Sequence, residues 1–423
     1  IGVRLVGSEM CIRDSYGAGQ GVPEVTEPGR IDVILYAAVT GNTSINISNA
    51  NVNNVYGGGQ LSILGWYYDN DDQSIHGATN EDVNKNYRHY TGTDTKIIIN
   101  KSNVSGSVYG GGMGTTANAI SGAVGESTVI IMGGSKVSGD VYGGGNYAVV
   151  SNKLVVDRTP DDKTRAIYPK IASSDNISKA IVVILEATIG SDSRSNTGNV
   201  FGGGYGPRAV VAGSTNVYIG KASDISSSAG SSVIIDGSVF GGGNMGSIGV
   251  IPGVFSFDKV DDYSKVNSKL EDYNKSSVNS KITADVNVVI NNDSDEIQIK
   301  GSVYGGGKGG DLKTGPNGEN IDLKGYAVVY GTTSVCITGN SAGSNSNLAI
   351  TGSVYGGGLG ETEGVHSVQY AEIYDSATVD VTYAEIGGSV YGGGEYGIIG
   401  HFVDGESKKS GIQVNGNDIY LSL

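Results

Sequence analysis

Two kinds of short apolar run alternate along this chain. The longer kind is β-branched and either alternates with polar residues or is apolar throughout. Thr95 to Ile99, Ser127 to Ile131, Asp285 to Ile290 and Ala377 to Val381 are examples, as is Ile181-Val182-Val183-Ile184-Leu185. Period-two alternation and aliphatic runs of this length predict buried or half-buried strands. The shorter kind is a valine and an aromatic residue followed by three glycines. It occurs eight times, starting at Val55, Val108, Val141, Val200, Val239, Val303, Val354 and Val390. Helical periodicity is absent from the repeats.

The copies align on the aromatic residue. Two positions before it stands a small polar residue: Asn54, Ser107, Asp140, Asn199, Ser238, Ser302, Ser353 or Ser389. Such residues bond to nearby backbone at turns. Three before stands glycine, at 106, 139, 198, 237, 301, 352 and 388; Asn53 is the exception. Asparagine is the next residue best able to take a left-handed conformation, so the exchange predicts a backbone requirement there. Five before stands an aliphatic in most copies: Val104, Val137, Ile235, Ile299, Ile350 and Ile386.

Short strands joined by glycine corners and recurring at intervals of tens of residues predict an all-β fold, a β-solenoid of the parallel β-helix type, expected to be right-handed. Coils stack at about 4.8 Å, so like residues form ladders. The valines line the interior. Tyr56, Tyr109, Tyr142, Phe201, Phe240, Tyr304, Tyr355 and Tyr391 form a structural aromatic column on the opposite face of the same strand. The aromatics are spaced 53, 33, 59, 39, 64, 51 and 36 residues apart. The longer intervals hold insertions, expected to leave at corners and to carry specificity. One, Asp258 to Asn274, places Val260, Tyr263, Val266, Leu270 and Tyr273 at three-to-four spacing and predicts a short surface helix.

Glycine supplies 70 of 423 residues and proline only 7. That excludes collagen, which needs glycine at every third position. The aliphatic runs exclude disorder of the whole chain. The net charge of −15 shows no basic stripe, which argues against nucleic acid and anionic membrane as partners.

Residues Leu5 to Ser15, LVGSEMCIRDS, resemble a translated sequencing adaptor, so residues 1–15 are set aside as non-native. Tyr16 to Gln20 resembles Tyr56 to Gln60, so the repeats begin inside an earlier copy. Residues 16–423 then form a single solenoid domain, expected to be an internal piece of a longer product. Only Cys336 remains outside the suspect segment, between Val335 and Ile337, as a small buried hydrophobe; no disulfide or metal cluster follows.

The repeat Gly-Ser-Val-Tyr-Gly-Gly-Gly, at Gly301 to Gly307 and Gly352 to Gly358, resembles that of large glycine-rich, adhesin-like surface proteins of gut bacteria. The resemblance covers residues 16 to 420. It implies an exported, extended, parallel β-helical protein, extracellular or on the cell surface. The implied role is adhesive or structural, and no catalytic residues carry over.

The most chemically loaded stretch is Trp66-Tyr67-Tyr68-Asp69-Asn70-Asp71-Asp72. Aromatic faces beside carboxylates suit sugar binding, which makes Trp66, Tyr67, Tyr68, Asp69 and Asp71 candidate ligand-binding residues; the plainer reading folds these aromatics back on the solenoid. His76, Tyr87, Arg88, His89 and Tyr90 lie in the same insertion. Gly306 to Asp311 matches the start of a calcium-binding β-roll repeat, but Lys313 stands where a large apolar residue belongs and no tandem copy follows. His76, His89, His366 and His401 share no metal-ligand spacing, and no metal site or cofactor is expected.

The pattern predicts a non-enzymatic, surface-displayed or secreted adhesin or stalk. Its expected partners are host or microbial glycans or surface proteins, with no nucleic acid and no membrane segment in this fragment. The alternative is a polysaccharide-degrading β-helix enzyme, a hydrolase or lyase. Hydrolysis needs two facing carboxylates, for which Glu372 and Asp380 are the candidate pair. Self-association into a fibre is a third reading.

Overall fold

The structure is a computed structural model. It describes residues 2–6, 11–21, 39–69, 87–115, 122–157, 169–171, 178–191, 197–207, 209–222, 225–226, 232–249, 284–292, 296–314, 320–340, 347–360, 370–400, 410–414 and 417–421. The predicted helix over Asp258 to Asn274 lies outside these, and among the described residues there is no helix.

The chain is a β-solenoid. Its long runs stack into an 11-stranded sheet, the long wall. Thr43–Ser48, Thr95–Asn100, Ser127–Met132, Lys179–Ile184, Ser214–Ile219, Ala284–Asn291, Gly331–Thr338 and Ala377–Thr382 follow one another in parallel and in register. Ser410–Val414 continues the sheet, and Asn417–Leu421 turns back on it antiparallel. The Val-aromatic pairs and the short strands before them form a 16-stranded sheet, the short wall. A third wall closes each coil through single bridges, such as Met113 to Asn146 and Val124 to Val150 to Val211 to Ile248.

The interior is built as the repeat predicts. Val55, Val108, Val141, Val200, Val239, Val303 and Val354 pair coil to coil, and each is fully buried. They pack against long-wall residues such as Ile99, Ile131 and Ile184 and against Val104, Val137, Ile189 and Ile235. Burying such a side chain contributes about 1.5–3 kcal/mol. Hydroxyls cross this interior: Thr95 Oγ1 donates to the Gly110 carbonyl at 2.6 Å, Ser127 Oγ to Gly143 at 2.6 Å and Thr333 Oγ1 to Gly356 at 2.6 Å. They fasten the first glycine of these corners to the long wall of the same coil.

Facing away from the valines, the aromatic rings stack in one column. Tyr56, Tyr109, Tyr142, Phe201, Phe240, Tyr304, Tyr355 and Tyr391 follow at centroid spacings of 4.6 to 5.0 Å and interplanar angles of 2° to 10°. Tyr16 extends the column by one ring at 4.8 Å. Most of the column is buried, because Met113, Tyr205 and Leu359 of the third wall fold over it. A sequence in which phenylalanine and tyrosine alternate freely suits such a column, since the stacking area lies in the ring and not the hydroxyl.

The glycine triplet answers the pitch of the stack. A Cβ on Gly143 would lie 2.2 Å from the carbonyl oxygen of Gly202, one coil ahead. A Cβ on Gly307 would lie 2.5 Å from the carbonyl of Gly243, one coil behind. The ladder continues through the corner, with Gly143 N–H bonded to Phe201 O at 2.9 Å and Gly144 N–H to Gly203 O at 3.1 Å.

Two sequence expectations are corrected. The glycine three before the aromatic is not there for a left-handed backbone: of its positions only Gly198 has a positive φ, 92°, and Asn53 has none. Clearance is the reason, since a Cβ on Gly139 would meet Ser107 Oγ at 2.3 Å. Where Asn53 replaces glycine, the strand runs unbroken from Asn51 to Tyr56. The small polar residue beside it bonds not to its own turn but to the next coil. Ser107 N–H donates to Asn54 Oδ1 at 2.8 Å, Asp140 N–H to Ser107 Oγ at 3.0 Å and Asn199 N–H to Asp140 Oδ1 at 2.8 Å.

The segment set aside on sequence also occupies a coil position. Gly2–Val6 pairs with Thr43–Ser48, and Cys11–Tyr16 pairs with Asn51–Tyr56. Its last residue, Ser15, stands opposite Val55, where every repeat copy has valine. Ser15 Oγ is buried and has no hydrogen-bond partner.

Candidate ligand-binding surface

Insertions leave the coils at their corners. Two of them meet. After Leu64, Gly65–Asp69 and Tyr87–Gly92 pair antiparallel, Trp66 with Thr91, Tyr67 with Tyr90, Tyr68 with His89 and Asp69 with Arg88. Lys153–Asp157 adds to the hairpin's free side, pairing Lys153 with Thr91, Leu154 with Tyr90 and Val155 with His89. Pro169–Ile171 pairs Lys170 with Val155 as the fourth strand.

This accessory sheet joins insertions from coils that are not neighbours. Between them the chain passes directly from Val124 to Ser127, with no insertion. That short passage lets the two reach each other. Gly92 lies over it: a Cβ there would sit 2.5 Å from the Gly125 Cα and 2.7 Å from the Ser151 carbonyl. Gly92 N–H bonds to Asn152 O at 3.0 Å, and Gly125 N–H to Thr93 O at 2.8 Å. At this base the Glu126 carboxyl is held above the usual carboxylate range by partial burial and then by the nearby Asp94; Lys179 and Asn152 oppose the shift.

Of the candidate binding residues, the structure thus brings Trp66, Tyr67, Tyr68 and Asp69 together on one strand and sets Arg88 and His89 beside them. Asp71 and His76 lie outside the described residues. Sequence reading missed Lys153–Asp157 and Pro169–Ile171. The signal was Leu154-Val155-Val156, a short apolar run bounded by polar residues.

The aromatic column is no ligand platform over its buried length. Burial, then the Asp140 charge, pushes the Tyr142 phenol well above its ordinary value. Burial pushes Tyr56 up to about 12. Tyr142 donates to Asp140 Oδ2 at 3.1 Å and accepts from Asn244 Nδ2 at 3.3 Å, bonds that hold it within the protein.

The remaining candidates do not assemble. Glu372 is buried beside the third-wall residue Ile373, while Asp380 pairs with Cys336 on the long wall, so the two stand on different walls. Cys336 is half-buried rather than interior, because its alternation places it on the outer side of that strand. The β-roll-like Gly306 to Asp311 leads into a hairpin, Gly310–Thr314 with Asn320–Gly325; there Asp311 pairs with Lys313 at 3.4 Å and accepts from Tyr370. A depression of about 380 Å³ at Glu296, Gln298 and Asn347 is shallow, and Gln298 donates to Glu296 across it at 2.5 Å. Among the described residues no three His, Cys, Asp or Glu side chains converge as for a metal ion, and no helix is long and apolar enough to cross a membrane.

No family model matches the chain, and no curated protein or solved structure matches it. Fold and surface together define the class: a β-solenoid repeat protein whose interior is spent on ladders and whose variable chemistry stands on insertions.

Proposed function

We propose that this chain is a non-enzymatic repeat scaffold, displayed on a bacterial surface or secreted, that acts as an adhesin or stalk and binds carbohydrate through its insertions. One observation carries this reading: two insertions from non-adjacent coils converge into a sheet bearing the aromatic-rich Gly65–Asp69 strand. A stacked scaffold of this kind is stiff and extends in one dimension, so its natural product is the display of what leaves its corners. Aromatic residues beside polar ones suit the alternating apolar and hydroxyl faces of a pyranose.

The test is a glycan array probed with the full chain and with a variant in which residues 66–91 are replaced by a short Gly-Ser linker. The expected result is glycan capture by the full chain, loss of capture in the variant, and no cleavage of captured glycan on prolonged incubation. Undiminished capture without residues 66–91 contradicts the placement of the site. Release of shortened saccharides contradicts the non-enzymatic role.

A further inference from the structure

We propose that one face of the accessory sheet is a binding site for acidic saccharides, those carrying a uronate or similar carboxylate. This rests on the carbohydrate-binding reading above and narrows its ligand.

The register carries the argument. In an antiparallel sheet, directly paired residues share a face and alternate rows share it with them. Trp66, Thr91 and Lys153 form one row. Tyr68, His89, Val155 and Lys170 form the next row but one, and so belong to the same face. Five chemistry-bearing positions, Trp66, Tyr68, His89, Lys153 and Lys170, are thereby gathered from four strands of two separate insertions. Four strands at about 4.8 Å and two rows about 7 Å apart give a patch of about 14 by 7 Å, room for a short oligosaccharide.

The distribution of charge selects the ligand class. The chain as a whole carries −15. Among the described residues of this face two lysines stand with one carboxylate, Asp157, which pairs with Tyr87 at the far end of the hairpin. In the adjacent row Asp69 and Arg88 pair in register, and that row belongs to the opposite side of the sheet. A locally cationic, aromatic face on an acidic protein is complementary to a ligand with its own anionic group and a ring to stack. Ammonium–carboxylate bonds are charge-assisted and add to ring stacking. The overall negative charge repels long polyanions, so recognition is local and weakens with salt.

The experiment titrates the full chain, by calorimetry, with oligogalacturonate, with a neutral oligosaccharide of equal length and with inorganic polyphosphate. Variants are Lys153→Glu with Lys170→Glu, Lys153→Arg with Lys170→Arg, and Trp66→Ala, each checked for an unchanged far-ultraviolet spectrum. The proposal expects oligogalacturonate to bind, to lose tenfold or more on charge reversal and on Trp66→Ala, and to be retained by the arginine pair. Binding of the neutral oligosaccharide alone overturns the acidic specificity and leaves the carbohydrate reading standing. Equal binding of polyphosphate shows a charge effect without sugar recognition and overturns the proposal. Binding of neither saccharide by the full chain fails both. If charge reversal unfolds the sheet, Trp66→Ala and the arginine pair decide alone: loss with the first and retention with the second supports the site, and any other pattern overturns it.

Discussion

The side-chain oxygen of Ser302 accepts the backbone N–H of Ser353 at 3.0 Å, although 51 residues separate the two. Ser302 N–H in turn donates to Ser238 Oγ at 3.0 Å, and Ser389 N–H to Ser353 Oγ at 3.1 Å. Each repeat thus satisfies a donor of the next, at the Gly-Ser corner before the valine, where a side-chain oxygen stands in for a backbone acceptor. Only a short side chain ending in oxygen can do this, which explains why serine, asparagine and aspartate share the position.

Ser302→Ala should therefore destabilise the neighbouring coils by about 1–2 kcal/mol, the cost of a partly buried donor left unpaired. Ser302→Asn should restore most of that loss, as Asn199 holds Ser238 N–H at 2.9 Å in the equivalent place. Urea denaturation of the three proteins measures this. Equal stability of the alanine variant and the parent would mean that water satisfies the donor.

Gly143→Ala and Gly393→Ala should behave oppositely. The first drives a Cβ to 2.2 Å from Gly202 O, whereas the second finds nothing within 4 Å. Backbone cannot yield as a side-chain tip does, so Gly143→Ala should cost about 3 kcal/mol or more, at or beyond the upper end of overpacking penalties. Gly393→Ala should stay within about 0.5 kcal/mol of the parent. Comparable losses at both would show that the triplet serves conformational freedom and not clearance.

Ser15→Val should stabilise the first coil. It removes a buried hydroxyl without a partner and continues the ladder begun at Val55. Hydrogen exchange at the Gly17 amide, which bonds to Tyr56 O at 2.9 Å, reports on that coil. Slowing of about tenfold is expected, equivalent to about 1.4 kcal/mol. Faster exchange would show that the coil does not use this position as interior.

Alkali should weaken the fold through the aromatic column. Burial raises the phenols of Tyr109 and Tyr142 well above their ordinary value and Tyr56 to about 12. The folded state therefore keeps protons that the unfolded chain loses near pH 10. The stability they contribute is fully present below about pH 10 and is lost as pH rises through the folded values. Thermal melts at rising pH should be flat in this contribution to about pH 9 and fall beyond about pH 10. Phenolate absorbance from the buried rings should then appear together with unfolding. Their titration near pH 10 with the fold intact would contradict the burial.

The solenoid, the interior valines and the aromatic column were legible in the sequence because each coil repeats its residues on a short, fixed template. Val108 and Val141 announce their equivalence through the glycines that follow them. What happens between coils was not legible. Asp140 bonds to Asn199 across an interval set by an insertion, and nothing local to either residue names the other. The role of Gly139 was misread for the same reason, since the atom it avoids, Ser107 Oγ, belongs to the preceding repeat. Trp66, Tyr68 and Asp69 stood out by composition. Their partner Lys153–Asp157 did not, because antiparallel pairing between separate insertions leaves no period to read.

Stacking of distant repeats is the claim beneath all of this, and double electron–electron resonance measures it most directly. Ser44, Lys96, Thr128, Ile181, Asn216, Asn287, Ser334 and Thr378 occupy one register row of the long wall. With both native cysteines replaced by serine, spin labels at 96 and 334 span five coil steps and labels at 44 and 378 span seven. At about 4.8 Å per step these are separations of about 24 and 34 Å. Two narrow distributions, broadened only by the label tethers and differing by about 10 Å, are predicted. A broad distribution, or separations that do not grow in proportion to the number of coils, would contradict the fold.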